Sequence, residues 1–108
     1  MIDLTTKKCV ACEGGTPPMA EKDAQQLLSQ VLGWTMIESK TIVRESAFHD
    51  FKEAMKFVNR VAELAESEGH HPDILVHGWN KVRLELSTHA IGGLSENDFI
   101  MAAKINAL

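Results

Sequence analysis

Apolar residues recur along this chain with two different periods, and the alternation between them lays out an order of elements. Ala24, Leu27, Leu28, Val31 and Leu32 fall at i, i+3, i+4, i+7 and i+8, one face of a helix that Gly33 stops. Residues 34–38 and 41–48 are then rich in β-branched and aromatic side chains, and the polar Glu38, Ser39 and Lys40 between them suit a hairpin turn. The helical period returns in Phe51, Ala54, Met55, Val58, Val61, Ala62 and Ala65. Asp50 stands where an N-cap is expected, and Gly69 where a left-handed C-cap residue belongs.

Past Pro72, residues 74–79 read as a strand and Asn80-Lys81 as a turn. Val82, Leu84 and Leu86 then alternate with Arg83, Glu85 and Ser87, the pattern of an antiparallel strand with one buried face. Residues 90–94, which include Gly92 and Gly93, read as a loop. Ser95-Glu96-Asn97-Asp98 has the form of a capping box opening a last helix, whose Phe99, Ala102, Ala103 and Asn106 share a face. Residues 1–18, broken by Gly14, Gly15, Pro17 and Pro18, read as an N-terminal tail ahead of a domain over 19–108. The connections are too short for parallel crossovers except through the second helix. The prediction is therefore a single α+β domain, a four-stranded antiparallel or mixed sheet with three helices packed on one face.

Composition bounds the partners. A chain of 108 residues that is 44% apolar supports one modest core. Chains of this size bury only ~60–70% of their unfolded surface, so self-association would be a natural supplement. The net charge is −4 and the only adjacent basic residues are Lys7 and Lys8, which argues against a phosphate-tracking face for nucleic acid. No segment approaches the ~20 apolar residues of a membrane span, and the N-terminus lacks the build of a signal peptide. A soluble, cytoplasmic protein is expected. Cys9 and Cys12 form a lone C-x-x-C without a second pair or a strand-to-helix context, so they read as idle thiols. They would join a metal site only if the tail folded back onto the histidines.

The chemistry is concentrated in His70-His71-Pro72 at the exit of the second helix, with His77 and His89 downstream. Adjacent imidazoles can differ in protonation near neutrality and so supply an acid and a base together. A metal site is the competing reading, although the chain has neither H-x-x-x-H on a helix nor H-E-x-x-H. His49 and His77, taken singly, read as surface or loop residues. Pro72 restricts the backbone of the pair. Glu63, Glu66 and Glu68 end the second helix without a basic residue in its last turn, an arrangement that favours an imidazolium beside it.

These residues also carry a resemblance. Glu66-x-x-x-His70-His71-Pro72, followed by Trp79, His89 and Asp98, resembles the signature of the pterin-4a-carbinolamine dehydratases. The likeness extends to Gly33-Trp34, Asn80-Lys81-Val82, Leu86-Ser87-Thr88-His89 and Gly93-Leu94-Ser95-Glu96, and Cys9 to Pro18 resembles the N-terminal segment of bacterial members. The resemblance implies a metal-free, cofactor-free dehydratase acting on 4a-hydroxytetrahydropterin, with loss of water from C4a and N5 giving quinonoid dihydropterin. It places His70, His71 and His89 as the catalytic histidines, with His70 and His89 at the 4a-hydroxyl and N5 and His71 binding or sharing that role. Glu66, Ser87, Thr88, Trp34 and Asp98 follow as substrate-binding candidates. For Trp34 a place in the core, for Glu66 a solvated helix face and for Asp98 a helix cap are the alternatives, and Trp79 is given a structural role. Two departures stand out: Gly69 replaces an Asp of some relatives, and Asn97 replaces a basic residue.

The implied partners are the pterin substrate, a functional link to a pterin-dependent aromatic amino acid hydroxylase, and further copies of the chain in a homodimer or homotetramer. Two other functions fit the same residues. One, which the resemblance implies because relatives also serve as dimerisation partners for a transcription factor, is a dimerisation or transcriptional coactivator-type interaction module, and a small sheet with an open edge can pair with another chain. The other is a pterin-binding protein in other cofactor metabolism.

Overall fold

A computed structural model describes residues 3–10 and 17–108. Helix α1 spans Glu21–Leu28, strands β1 and β2 Thr35–Ile37 and Thr41–Ala47, helix α2 Phe51–Glu68, strands β3 and β4 Asp73–His77 and Lys81–Leu86, and helix α3 Glu96–Asn106. The sheet order is β1-β2-β4-β3 and every pairing is antiparallel, so the alternative of a mixed sheet drops out. Helix α2 carries the chain from β2 across to the outer strand β3, and β4 then returns between them.

Register decides which side of the sheet is buried. Ile42 pairs with Leu86, Arg44 with Leu84 and Ser46 with Val82. Ile42, Val82, Leu84 and Leu86 are buried together with Ala54, Val61 and Ala65 of α2 and Phe99 and Ala102 of α3. Each fully buried Leu or Ile is worth ~1.5–3 kcal/mol, so this inward row of β4 anchors the sheet to the helices. The opposite face is mixed, with Ile37, Val43 and Leu75 beside charged pairs: Arg83 lies within 3.2 Å of Glu85 and His77 within 3.2 Å of Glu45.

Several sequence expectations shift; the first helix, expected to run through Leu32 to Gly33, ends at Leu28, and Leu32 lies 83% exposed beyond it. The strand expected over 74–79 ends at His77, because Gly78 and Trp79 both take positive φ (54° and 60°) in the tight turn before Lys81. The loop expected over 90–94 begins with a turn of 3-10 helix, His89–Ile91, which Gly92 ends in a left-handed conformation. Helix α3 is buried continuously from Asn97 to Ala102 rather than along one stripe. Its second cover is the N-terminal segment that the pattern read as a tail. Leu4, in a 3-10 turn Leu4–Thr6, is buried in the core, and Lys7 Nζ pairs with Glu96 at 2.7 Å. No helix among the described residues is long and apolar enough to cross a membrane.

Candidate active site

The end of α2 delivers the histidine pair. Gly69 adopts φ +68°, and the N–H groups of Gly69 and His70 both donate to the Ala65 carbonyl, at 2.9 and 3.3 Å. This left-handed cap swings the chain out of the helix axis and leaves His70 and His71 beside the end of β4. There, Thr88 N–H donates to the Gly93 carbonyl at 2.8 Å, closing the short loop that bears His89. Gly93 is required at the base of that loop, since a Cβ would lie 2.8 Å from Cβ of Pro18. The histidines, 19 positions apart at their extremes in sequence, thus converge through one helix cap and one strand end.

Between them lies a cavity of about 270 Å³, at the small end of the range that holds small organic ligands. His70, His71 and His89 line it together with Ser87 and Thr88. Gly69, Ala90, Val10 and Asn97 complete the wall. Val10 had no sequence signal of its own, and Asn97 was distinguishable only as a departure beside Asp98.

His70 is oriented from behind. Its Nε2 lies 2.6 Å from Oδ1 of Asp98, a carboxylate with no exposed surface. Because a carboxylate accepts, Nε2 carries the hydrogen, and Nδ1 is the nitrogen left for a reacting group. The other carboxylate oxygen accepts from Thr88 Oγ1 at 2.9 Å and from Ser95 N–H at 3.0 Å. With its hydrogen committed to Asp98, Thr88 Oγ1 accepts from Ser95 Oγ at 2.7 Å. Asp98 therefore closes the N-terminus of α3 and aims the ring at once. The helix cap weighed for Asp98 is present, whereas the carboxylate, expected as a substrate contact, lies behind His70 and does not line the cavity.

His71 is held more loosely. Its Nε2 meets Glu66 Oε2 at 2.7 Å with both side chains largely exposed. Glu66 thus reaches the site through His71 rather than as part of the cavity wall. Trp34 is not brought to the cavity: it is buried in the core, and its indole N–H donates to Asn106 Oδ1 at 3.0 Å. Trp79 projects to solvent on the β3–β4 turn, 63% exposed. His49 and His77 pair with Asp50 and Glu45 away from the site.

Next to the wall, burial and the neighbouring Glu68 carboxylate push the Cys9 thiol up to about 12. Glu68 itself is held below its usual range, first by the Cys9 N–H that it accepts and then by Lys104. Cys9 is therefore a protonated, inert thiol at neutral pH. Its C-x-x-C partner Cys12 lies outside the described residues. Among the described residues no group of three or more His, Cys, Asp or Glu converges in the manner of a metal site.

Comparison with known proteins gives concordant results. A family model described as pterin 4 alpha carbinolamine dehydratase matches residues 17–108. A Nitrosospira multiformis protein provisionally assigned as a pterin-4-alpha-carbinolamine dehydratase is 52% identical over 98% of this chain and 92% of its own. A Rubrobacter xylanophilus protein, assigned in the same provisional way, is 44% identical over the whole of both chains. Among solved structures, the transcriptional coactivator/pterin dehydratase from Brucella melitensis superposes with a TM-score of 0.77 at 33% identity, covering 83% of this chain and 96% of that one.

Proposed function

The chain belongs to the pterin-4a-carbinolamine dehydratase family, and from that premise we propose that it dehydrates 4a-hydroxytetrahydropterin by histidine acid-base catalysis. The observation that carries the reading is the convergence of three imidazoles on one small cavity, one of them aimed by a fully buried carboxylate. Dehydration needs two proton transfers. The N5–H bond breaks and its electron pair forms the C4a–N5 double bond, while the C4a–O bond breaks and the hydroxyl leaves as water after gaining a proton. His70 suits the base role. With Nε2–H donated to Asp98, Nδ1 takes the N5 proton and the imidazolium that results is paired with a carboxylate. His89 then gives the proton to the departing hydroxyl, and His71, steadied by Glu66, binds the ring system or shares that donation. Ser87 and Thr88 bring strand backbone to the same cavity. Exchange with solvent resets both rings, and no metal or cofactor enters any step.

The same reading includes recycling of the pterin used by an aromatic amino acid hydroxylase, because the carbinolamine is what such an enzyme leaves behind. It also includes assembly into a homodimer or homotetramer, supported by Ile74 and Leu75, which lie 37% and 53% exposed on the outer strand β3. A surface used only for docking has no need of a polar cavity ringed by histidines, so catalysis is the better account.

The test is to generate the carbinolamine and follow its dehydration by absorbance with the purified protein, His70→Ala and His89→Ala, each with a chelator present. Wild-type protein is expected to accelerate the reaction, and each variant to lose ~100- to 10,000-fold in kcat. No acceleration by the wild type defeats the proposal, and chelator-sensitive activity points back to a metal.

A further inference from the structure

Residues 3–10 precede the region matched by the family model, yet they are fastened to the domain at four places and end in the wall of the cavity. Leu4 is buried in the core and Lys7 pairs with Glu96. Cys9 N–H donates to Glu68 Oε1 at 3.0 Å, and the same carboxylate is neutralised by Lys104 Nζ at 2.9 Å from its other oxygen. The last fastening is the tightest. Val10 N–H donates to Asn97 Oδ1 at 2.9 Å, and Asn97 Nδ2 donates back to the Val10 carbonyl. The side-chain amide of Asn97 thus pairs with Val10 as a neighbouring strand would, satisfying both backbone polar groups of that residue.

The contrast between the two ends of Val10 is informative. Its backbone is clamped by a residue only 5% exposed, while Val10 itself is 70% exposed and lines the cavity. An apolar side chain held rigidly at the edge of a polar cavity gains nothing from its own burial. Its position makes sense if a ligand covers it. The histidines, Ser87 and Thr88 supply the polar part of that cavity, and Val10 supplies an apolar contact that none of them can make.

We propose that the N-terminal strap is a substrate-binding wall, in which Val10 packs on the non-reacting part of the heterobicyclic substrate and Asn97 is the positioning residue that holds it there. The proposal rests on the dehydratase reading of the site. It assigns the strap to binding and leaves proton transfer to the histidines, so the strap contributes to KM and not to kcat.

The experiment varies residues 10 and 97 in the full-length protein. Steady-state dehydration is measured alongside fluorescence titration with a stable 7,8-dihydropterin, so that binding is read even without turnover. Val10→Ala and Val10→Gly are expected to raise KM and the dihydropterin Kd in that order, by about threefold and about tenfold, whereas Val10→Ile stays near wild type. Asn97→Ala is expected to match Val10→Gly, with kcat within about twofold of wild type and the pH profile of kcat unchanged. An exposed residue that served only the fold would show no such gradation. The proposal is overturned if Asn97→Ala lowers the Tm while KM and Kd stay put, or if the Val10 series is flat. Dihydropterin binding without turnover by the wild type would defeat the dehydratase reading while leaving the strap to be judged by Kd. If the wild type binds no dihydropterin, the strap proposal falls.

Discussion

The carboxylate of Asp98 accepts from an imidazole, a hydroxyl and a backbone N–H without touching solvent. Replacing it with Asn97's side-chain type tests which of these matters for the reaction. Asp98→Asn keeps the shape but offers His70 a neutral amide, losing the paired imidazolium and permitting the wrong tautomer. The expected outcome is a loss of about 100-fold or more in kcat with little change in KM, read by the same absorbance assay. Cys9 gives a second prediction at this scale. With its thiol raised from 9.0 to about 12, it should stay unlabelled by iodoacetamide at pH 8 while the protein is folded and react once denaturant is added, as peptide mapping will show. The histidine cluster was legible because imidazoles carry the acid-base chemistry themselves, whereas Ser87 and Thr88 were brought to the site only by the family resemblance. Val10 was not, since an apolar residue in a stretch without periodicity says nothing about what lies across from it. Trp34 could be placed either way from sequence, and the deciding partner, Asn106, lies 72 positions downstream.

Among the elements, α2 was read almost to the residue because its cap residues and its stripe agree: Asp50 accepts from Glu53 N–H at 2.8 Å and Gly69 closes the other end. A Cβ at Gly69 would meet no atom within 4 Å, so Gly69→Ala carries only the backbone cost of a positive φ, ~1–2 kcal/mol. Thermal unfolding should show that loss, and Gly69→Asn, which tolerates the left-handed region better, should recover much of it. The pattern of α3 was misread as one-faced because no local rule shows that residues 3–10 will cover its second side. Lys104, near the end of that helix, ties it to Glu68 of α2 with both side chains mostly buried. Removing one partner of a buried pair typically costs ~3–5 kcal/mol, and Lys104→Ala is expected at about 3 kcal/mol because its ammonium keeps some contact with water.

At the scale of the molecule, the carboxyl groups set the response to acid. Glu68 lies below its ordinary 4.5 in the folded chain, and Asp3 and Asp50 are likewise lowered by their hydrogen bonds to Thr5 and Glu53. A lowered folded value adds stability that is complete above the unfolded value and disappears as pH falls through the folded one. The Tm should therefore drop below about pH 4.5, and Glu68→Gln should flatten the part of that drop belonging to the strap. Assembly is tested by sedimentation: wild-type protein is expected to be dimeric or tetrameric, and Leu75→Lys on the outer strand to shift it toward monomer. The α+β order and the four strands were legible from periodicity. The sheet order, which seats β4 centrally and so points Ser87, Thr88 and His89 at the end of α2, was not, because short hairpins alone leave the pairing of β2 with β4 open.

The hydroxyl pair of Ser95 and Thr88 joins the first turn of α3 to the ring of His70 through a single carboxylate. Fraying of that turn and misaiming of the imidazole are then one event. Heat should silence the proposed activity as soon as the helix start loosens, before the sheet melts, and any substitution that stiffens this corner should extend the working temperature more than the melting temperature.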